Sequence, residues 1–126
     1  MSLDLPILET PYPSKYPIYD IRQFLAEGAE PIGFGCWAQV QPNLVIAGIR
    51  ARTNQMIDNR NFIVIGLPPE LRPPTISPGI AMHYDTPAPV QVNQYGNIYF
   101  PGWLNRVMGD AAHVELSMTW PRRAAV

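Results

Sequence analysis

The residues able to do covalent or acid–base chemistry are few in this chain, and they do not cluster. Its two histidines, His83 and His113, lie far apart on different expected strands, and the single cysteine, Cys36, sits on a third. A metal site of the zinc type needs convergent imidazole, thiolate or carboxylate ligands, and these spacings supply none. No glycine-rich phosphate loop, nucleophile elbow or kinase-type set is present. The acidic residues are scattered, so no pair stands out for glycoside hydrolysis. The expectation is a protein that is not an enzyme, with no cofactor and no metal. Cys36, within Gly33-Phe34-Gly35-Cys36-Trp37, reads as a buried, inert thiol and not as a nucleophile.

Recognition chemistry is better represented. Trp103, Tyr84, Tyr95 and Tyr99 fall in or beside expected loops, where amphipathic rings commonly serve binding. Stacking on sugar rings is one use; filling a core or subunit interface is the other. His83-Tyr84-Asp85, at a strand end, reads either as a polar recognition cluster or as a satisfied surface turn. The candidate glycan-binding residues are therefore Trp103, Tyr84, Asp85, His83 and Tyr95. Trp37 and Trp120 lie within strands and read as structural.

Composition sets the frame that must position these groups. The 126 residues make one ordinary domain. Hydrophobic residues are 47%, which excludes a disordered chain. Charged residues are 15%, below the rough quarter expected of soluble domains. Such a surface points to a cover other than water, and self-association is the expected one. A net charge of −1 carries no nucleic-acid footprint. The N-terminus lacks the basic and apolar regions of a signal peptide, and no apolar run approaches the roughly 20 residues of a membrane span.

In chain order, residues 1–18 read as an apolar, proline-punctuated arm built to lie on another surface. Asp20 is placed to cap a short helix carrying Ile21, Phe24 and Leu25, with Gly28 at its end. Domain boundaries follow: 1–31 as docking arm and short helix, 32–126 as the β body. Strands are expected from Ile32, over 44–52 (Val45, Ala47, Ile49 and Ala51 on one face), over 61–67 as a central strand, and over 79–84 with Ile80 and Met82 on one side. Asp85-Thr86-Pro87 marks a turn, residues 90–94 and 98–100 a hairpin around Gly96, and 112–120 a last strand with Val114, Leu116 and Met118 facing in. Residues 54–59 and 101–110 read as connections. Between the halves runs Leu67-Pro68-Pro69-Glu70-Leu71-Arg72-Pro73-Pro74, where four prolines remove four N–H donors and bar a helix or a central strand. The expectation is an extended, partly polyproline-like ribbon that crosses from one sheet to the other. The expected fold class is all-β: a β-sandwich or jelly-roll-like barrel of about seven short strands, with an N-terminal extended arm and one short helix.

The second half resembles the distal domains of bacteriophage tail fibres and receptor-binding proteins. The pattern Leu-Pro-x-x-x-Arg-Pro is met by Leu67, Pro68, Arg72 and Pro73. The hairpin pattern Val-x-Val-x-x-x-Gly-x-Ile is met by Val90, Val92, Gly96 and Ile98, and Leu116 to Trp120 match the final strand with its closing aromatic. Leu44-Val45-Ile46-Ala47-Gly48 fits the upstream strand, so the likeness runs over roughly residues 32 to 120. In such domains Pro68, Arg72, Pro73 and Gly96 are architecture, with Arg72 satisfying nearby carbonyls or a carboxylate and Gly96 supplying positive φ. The resemblance implies a homotrimer on the virion surface, in tail or capsid, that binds host cell-surface saccharide and meets other virion proteins through its arm. No shaft of heptads precedes the domain, which leaves two forms open: a small receptor-binding head docked by its arm, or a capsid decoration or head-fibre protein. A cellular carbohydrate-binding module is the third reading.

Overall fold

The computed structural model describes residues 4–9, 14–26, 28–53, 62–83, 86–100 and 112–122. Period-two alternation writes its inner face. In β3 (Leu44–Thr53) and β8 (Ala112–Pro121), Val45, Ala47, Ile49 and Ala51 are buried opposite Trp120, Met118, Leu116 and Val114 respectively. Directly opposed residues share a face, so small and large side chains alternate across the pair, Ala47 against Met118 and Val45 against Trp120. On the other side of β3 lies β2 (Ala29–Val40), where Ala38 opposes Ala47 and Cys36 joins the same core.

Among the described residues, eight strands form one antiparallel sheet in the order β1-β2-β3-β8-β5-β6-β7-β4. The remaining strands are β1 (Ile18–Asp20), β4 (Phe62–Val64), β5 (Ser77–His83), β6 (Thr86–Val92) and β7 (Ile98–Tyr99). The sheet curls until its two end strands are joined by the chain segment that follows β1. Leu25 bridges Val64, Ala26 N–H donates to Ile63 O at 2.8 Å, and Ile65 N–H donates to Phe24 O at 2.8 Å. Curling this far leaves little free edge for unwanted pairing. The outer side of β1 is also occupied: Ile7 bridges Tyr19, with Leu8 N–H on Ile18 O and Asp20 N–H on Pro6 O, both at 2.8 Å. Part of the N-terminal arm thus lies on its own domain.

The all-β class holds, and its details differ from expectation. Among the described residues there are eight strands in a single curled sheet, where about seven were expected in a sandwich or a jelly-roll-like barrel. Of those two shapes the curled sheet is nearer the barrel. The short helix reduces to one 3-10 turn, Arg22–Phe24. Asp20 does not cap an α-helix there; its Oδ1 accepts the Arg22 N–H at 2.9 Å in a local turn. The expected central strand over 61–67 stops at Val64 and lies at one end of the strand order. The next three amides already have partners outside a ladder, Ile65 on Phe24 O, Gly66 on Asn97 Oδ1 and Leu67 on Gly96 O. Thr86 and Pro87, expected in a turn, open β6. The connections at 54–59 and 101–110 lie outside the described residues.

The proline segment lies at one end of this half-barrel, held by Leu67 N–H on Gly96 O and Trp120 Nε1 on Leu71 O, and does not cross between two sheets. It also holds a 3-10 turn, Pro69–Leu71, where an extended ribbon was expected. Proline suits a first helical turn because its missing N–H has no role there, and the turn is closed by Leu71 N–H on Pro68 O at 2.9 Å. Leu67 and Leu71 are fully buried.

Candidate functional site

Among the described residues, two regions gather polar and aromatic groups: the barrel end under the proline segment, and a groove on the outer face of β2, β3 and β8. At the barrel end, residues distant in sequence converge. Arg72 Nε donates to Leu67 O at 2.7 Å. Trp120 Nε1 donates to Leu71 O at 2.9 Å. Gly96, at φ +81°, presses its Cα against Leu67, so that a Cβ there would stand 2.6 Å from Leu67 O. Asn93 Oδ1 accepts from Tyr95 and Asn97 N–H and shapes the turn. The leucines and tryptophan at this end are buried, so these groups serve packing.

The groove is of another kind. Between the paired positions Pro31/Ala51 and Cys36/Ile49, four residues of β2 (32–35) face one residue of β3 (Arg50). Such an excess is a large β-bulge, a device that re-aims side chains and is enriched beside functional sites. Beside it opens a groove of about 520 Å³ lined by Ile32, Gly35, Trp37, Arg50, Glu115 and Ser117, among others. That lies within the roughly 300–1,000 Å³ of small-ligand clefts. The Trp37 indole lies across Gly48, its partner in register. A Cβ at Gly48 would stand 2.5 Å from Cε2 and 2.6 Å from Cζ2 and Nε1 of that ring. At Gly35 a Cβ would collide with the carbonyl and Cβ of Arg50. Both glycines keep the floor bare.

Charge borders the groove as ion pairs. Arg50 Nε meets Glu115 Oε1 at 2.9 Å across directly opposed positions, with side chains 55% and 47% exposed. On β1, Asp20 is opposite Trp37 and so shares its outer face. Arg22 grips Asp20 in a fork, Nη2 to Oδ2 at 2.7 Å and Nε to both oxygens at 3.0 Å. These hydrogen bonds from the guanidinium hold the Asp20 carboxyl below its ordinary value, against the opposing effect of burial.

Of the residues expected to bind glycan, Trp103, Tyr84 and Asp85 lie outside the described residues. His83 ends β5, opposite Thr86 and Val114. Tyr95 is 64% exposed at the tip of the β6–β7 turn, away from the groove's lining. Tyr99 is engaged structurally, its hydroxyl donating to Gln91 Oε1 at 2.9 Å and its ring edge-on to Phe62 at 5.5 Å. Cys36 is buried as read from sequence, and burial pushes its thiol up. Among the described residues, no three His, Cys, Asp or Glu groups stand where they could hold a metal ion, and no helix is long and apolar enough to cross a membrane.

Sequence reasoning had assigned Trp37 to structure because it lies in a strand. The available signal was the triad Gly35, Trp37 and Gly48, small residues around one large ring, but it becomes readable only with the β2–β3 register. Comparison with known proteins adds no identity: no protein-family model matches the chain, and no curated protein matches it.

Proposed function

We propose that the protein is a phage virion surface protein, a tail-fibre or baseplate receptor-binding head that adheres to host cell-surface saccharide. One observation carries this reading. The residues of the fibre-like pattern, Leu67, Arg72, Gly96 and Trp120, together with Leu71, meet in a single packed unit at the barrel end. This packing supports the reading by giving positions some fifty residues apart one shared structural role. In this proposal the body is a homotrimer, the arm beyond its pairing with β1 meets other virion proteins, and the protein is neither an enzyme nor a nucleic-acid or membrane binder. The test is binding of the purified, labelled protein to host cells before and after stripping of surface polysaccharide. Saturable binding that stripping abolishes supports the head; indifference to stripping removes it.

A second reading, a capsid decoration or head-fibre protein, draws on a different surface. On the outer face of β5 and β6, Ile80 opposes Pro89 and Met82 opposes Pro87, and all four are exposed. A continuous apolar strip of this kind suits a protein contact. Locating the protein on intact particles by electron cryo-microscopy separates the two, since a decoration protein is arrayed over the capsid.

A further inference from the structure

Resting on the adhesive reading, we infer that the groove over Gly35 and Gly48 binds one unit of a neutral saccharide, with Trp37 as stacking platform and the Arg50–Glu115 pair as reader of ring hydroxyls. Of the residues expected to bind from the loops, His83 and Tyr95 are not among those that line this site.

A pyranose presents a flat face of C–H groups and a rim of hydroxyls that both donate and accept. Its complement is a flat apolar surface beside hydrogen-bonding groups of both senses. Trp37 supplies the surface, and bare Gly48 lets the indole lie against the sheet. Glycine at 35 keeps side-chain bulk out of the bulge beside Arg50. Ser117, directly opposite Gly48, adds a hydroxyl to the lining. The contact to Glu115 is made through Nε of Arg50, one of the five N–H donors of a guanidinium, and the carboxylate contributes acceptors. Donor and acceptor thus stand side by side at the groove wall, half-exposed and within reach of a ligand.

Charge selects the class. A lone arginine would favour a phosphate, a uronate or a sialic acid. Here its charge is matched at 2.9 Å by Glu115, and Arg22 beyond Trp37 is matched by Asp20. An anion entering the groove would meet a carboxylate at the same wall as the cation, with no net attraction. A nucleic-acid base would stack equally well on indole, but its phosphates find no basic surface on a chain of net charge −1. Neutral sugar is the class that uses the ring and the pair without a charge left over.

The test follows indole N–H signals in ¹H–¹⁵N spectra while glucosyl, galactosyl and N-acetylglucosaminyl trisaccharides, and sialyllactose as the anionic probe, are added in turn. Trp37 is assigned from the signal lost in Trp37→Phe. Trp120, buried and bonded to Leu71 O, serves as internal reference. The expected result is a saturable shift of the Trp37 signal with at least one neutral trisaccharide and a still Trp120 signal. Trp37→Ala should lower that affinity about tenfold or more, and Glu115→Gln should weaken binding while leaving the melting temperature unchanged. Saturable binding with a stationary Trp37 signal overturns the site but leaves the adhesive reading standing. Tighter binding of sialyllactose overturns the neutral class. If the wild type binds neither these probes nor host surface polysaccharide, the adhesive reading itself falls, and the site with it.

Discussion

The indole N–H of Trp120 donates to the carbonyl of Leu71 at 2.9 Å inside the core, joining the last strand to the proline segment across 49 positions of sequence. The carbonyl belongs to a 3-10 turn rich in proline, so the local chain offers few N–H donors to satisfy it. Trp120→Phe removes the donor and part of the buried ring volume together. It should cost at least about 1–3 kcal/mol, the range for a buried acceptor left unsatisfied, with a further cavity cost on top, and urea melts would measure it. A loss under about 0.5 kcal/mol would mean that water or another donor reaches Leu71 O.

Gly96 and Gly66 separate backbone strain from collision. Both take positive φ, +81° and +74°. A Cβ at Gly66 meets open space, whereas one at Gly96 would press on the carbonyl and amide of Leu67 at 2.6 and 2.8 Å. Gly66→Ala should therefore cost about 1–2 kcal/mol, the left-handed penalty alone. Gly96→Ala should cost clearly more, and Gly96→Val should fold poorly. Equal melting temperatures for the two alanine variants would show that the β6–β7 turn does not press on the proline segment.

How much of this was legible in sequence depends on the strand. For β3 and β8, alternation separated the two faces correctly, and on β8 it named the buried one, because Val114, Leu116 and Met118 alternate with Glu115, Ser117 and Thr119. On β3 the outer face also carries Leu44 and Ile46, so polarity alone does not say which side is inner. β5 reads less directly. Ile80 and Met82 share a side as expected, but that side is the outer one, with Ile80 66% and Met82 38% exposed. Gly79 and Ala81 face in because Met118 and Leu116 already fill the space; a Cβ at Gly79 would lie 2.8 Å from Met118 Cε. Neighbouring volume decided the facing, and volume is not local information. The groove escaped notice for the same reason, since Trp37 and Gly48 meet only through register.

Acid should weaken the β1 turn. The Asp20 carboxyl is held below its ordinary value chiefly by side-chain hydrogen bonds from Arg22. A group whose folded pKa is depressed adds stability above its unfolded value, here near 3.8, and that stability is lost as pH falls through the folded value. Wild type and Asp20→Asn should therefore differ in stability at pH 6, with the gap narrowing below pH 3.8 and closing as pH falls through the depressed folded value. The difference is modest, because Arg22 is half-exposed and screened by solvent. A gap that persists undiminished under strong acid would assign the effect of Asp20 to shape and not to charge.

Cys36 should be silent in the native protein. Its thiol is buried in the core cluster and pushed up by that burial, and the thiolate is the reactive form. A thiol-specific disulfide reagent at pH 8 should label the unfolded chain fully and the folded chain only as fast as it opens. Rapid labelling without unfolding would show that β2 breathes beside its bulge.

The outer strip on β5 and β6 tests what covers this weakly charged surface. Ile80 and Met82 touch solvent in the single chain, so replacing either by lysine should change the stability of an isolated protomer by no more than about 0.5 kcal/mol. If a second copy covers the strip, the same charge would be buried against apolar surface, a costly placement. The expected outcome is a wild type that runs as an oligomer in light scattering and an Ile80→Lys/Met82→Lys double variant that runs as a folded monomer with native-like spectra. An oligomer that survives both lysines places the subunit contact elsewhere. A wild type that is monomeric at high concentration leaves the strip to a different protein, which is the arrangement a decoration protein requires.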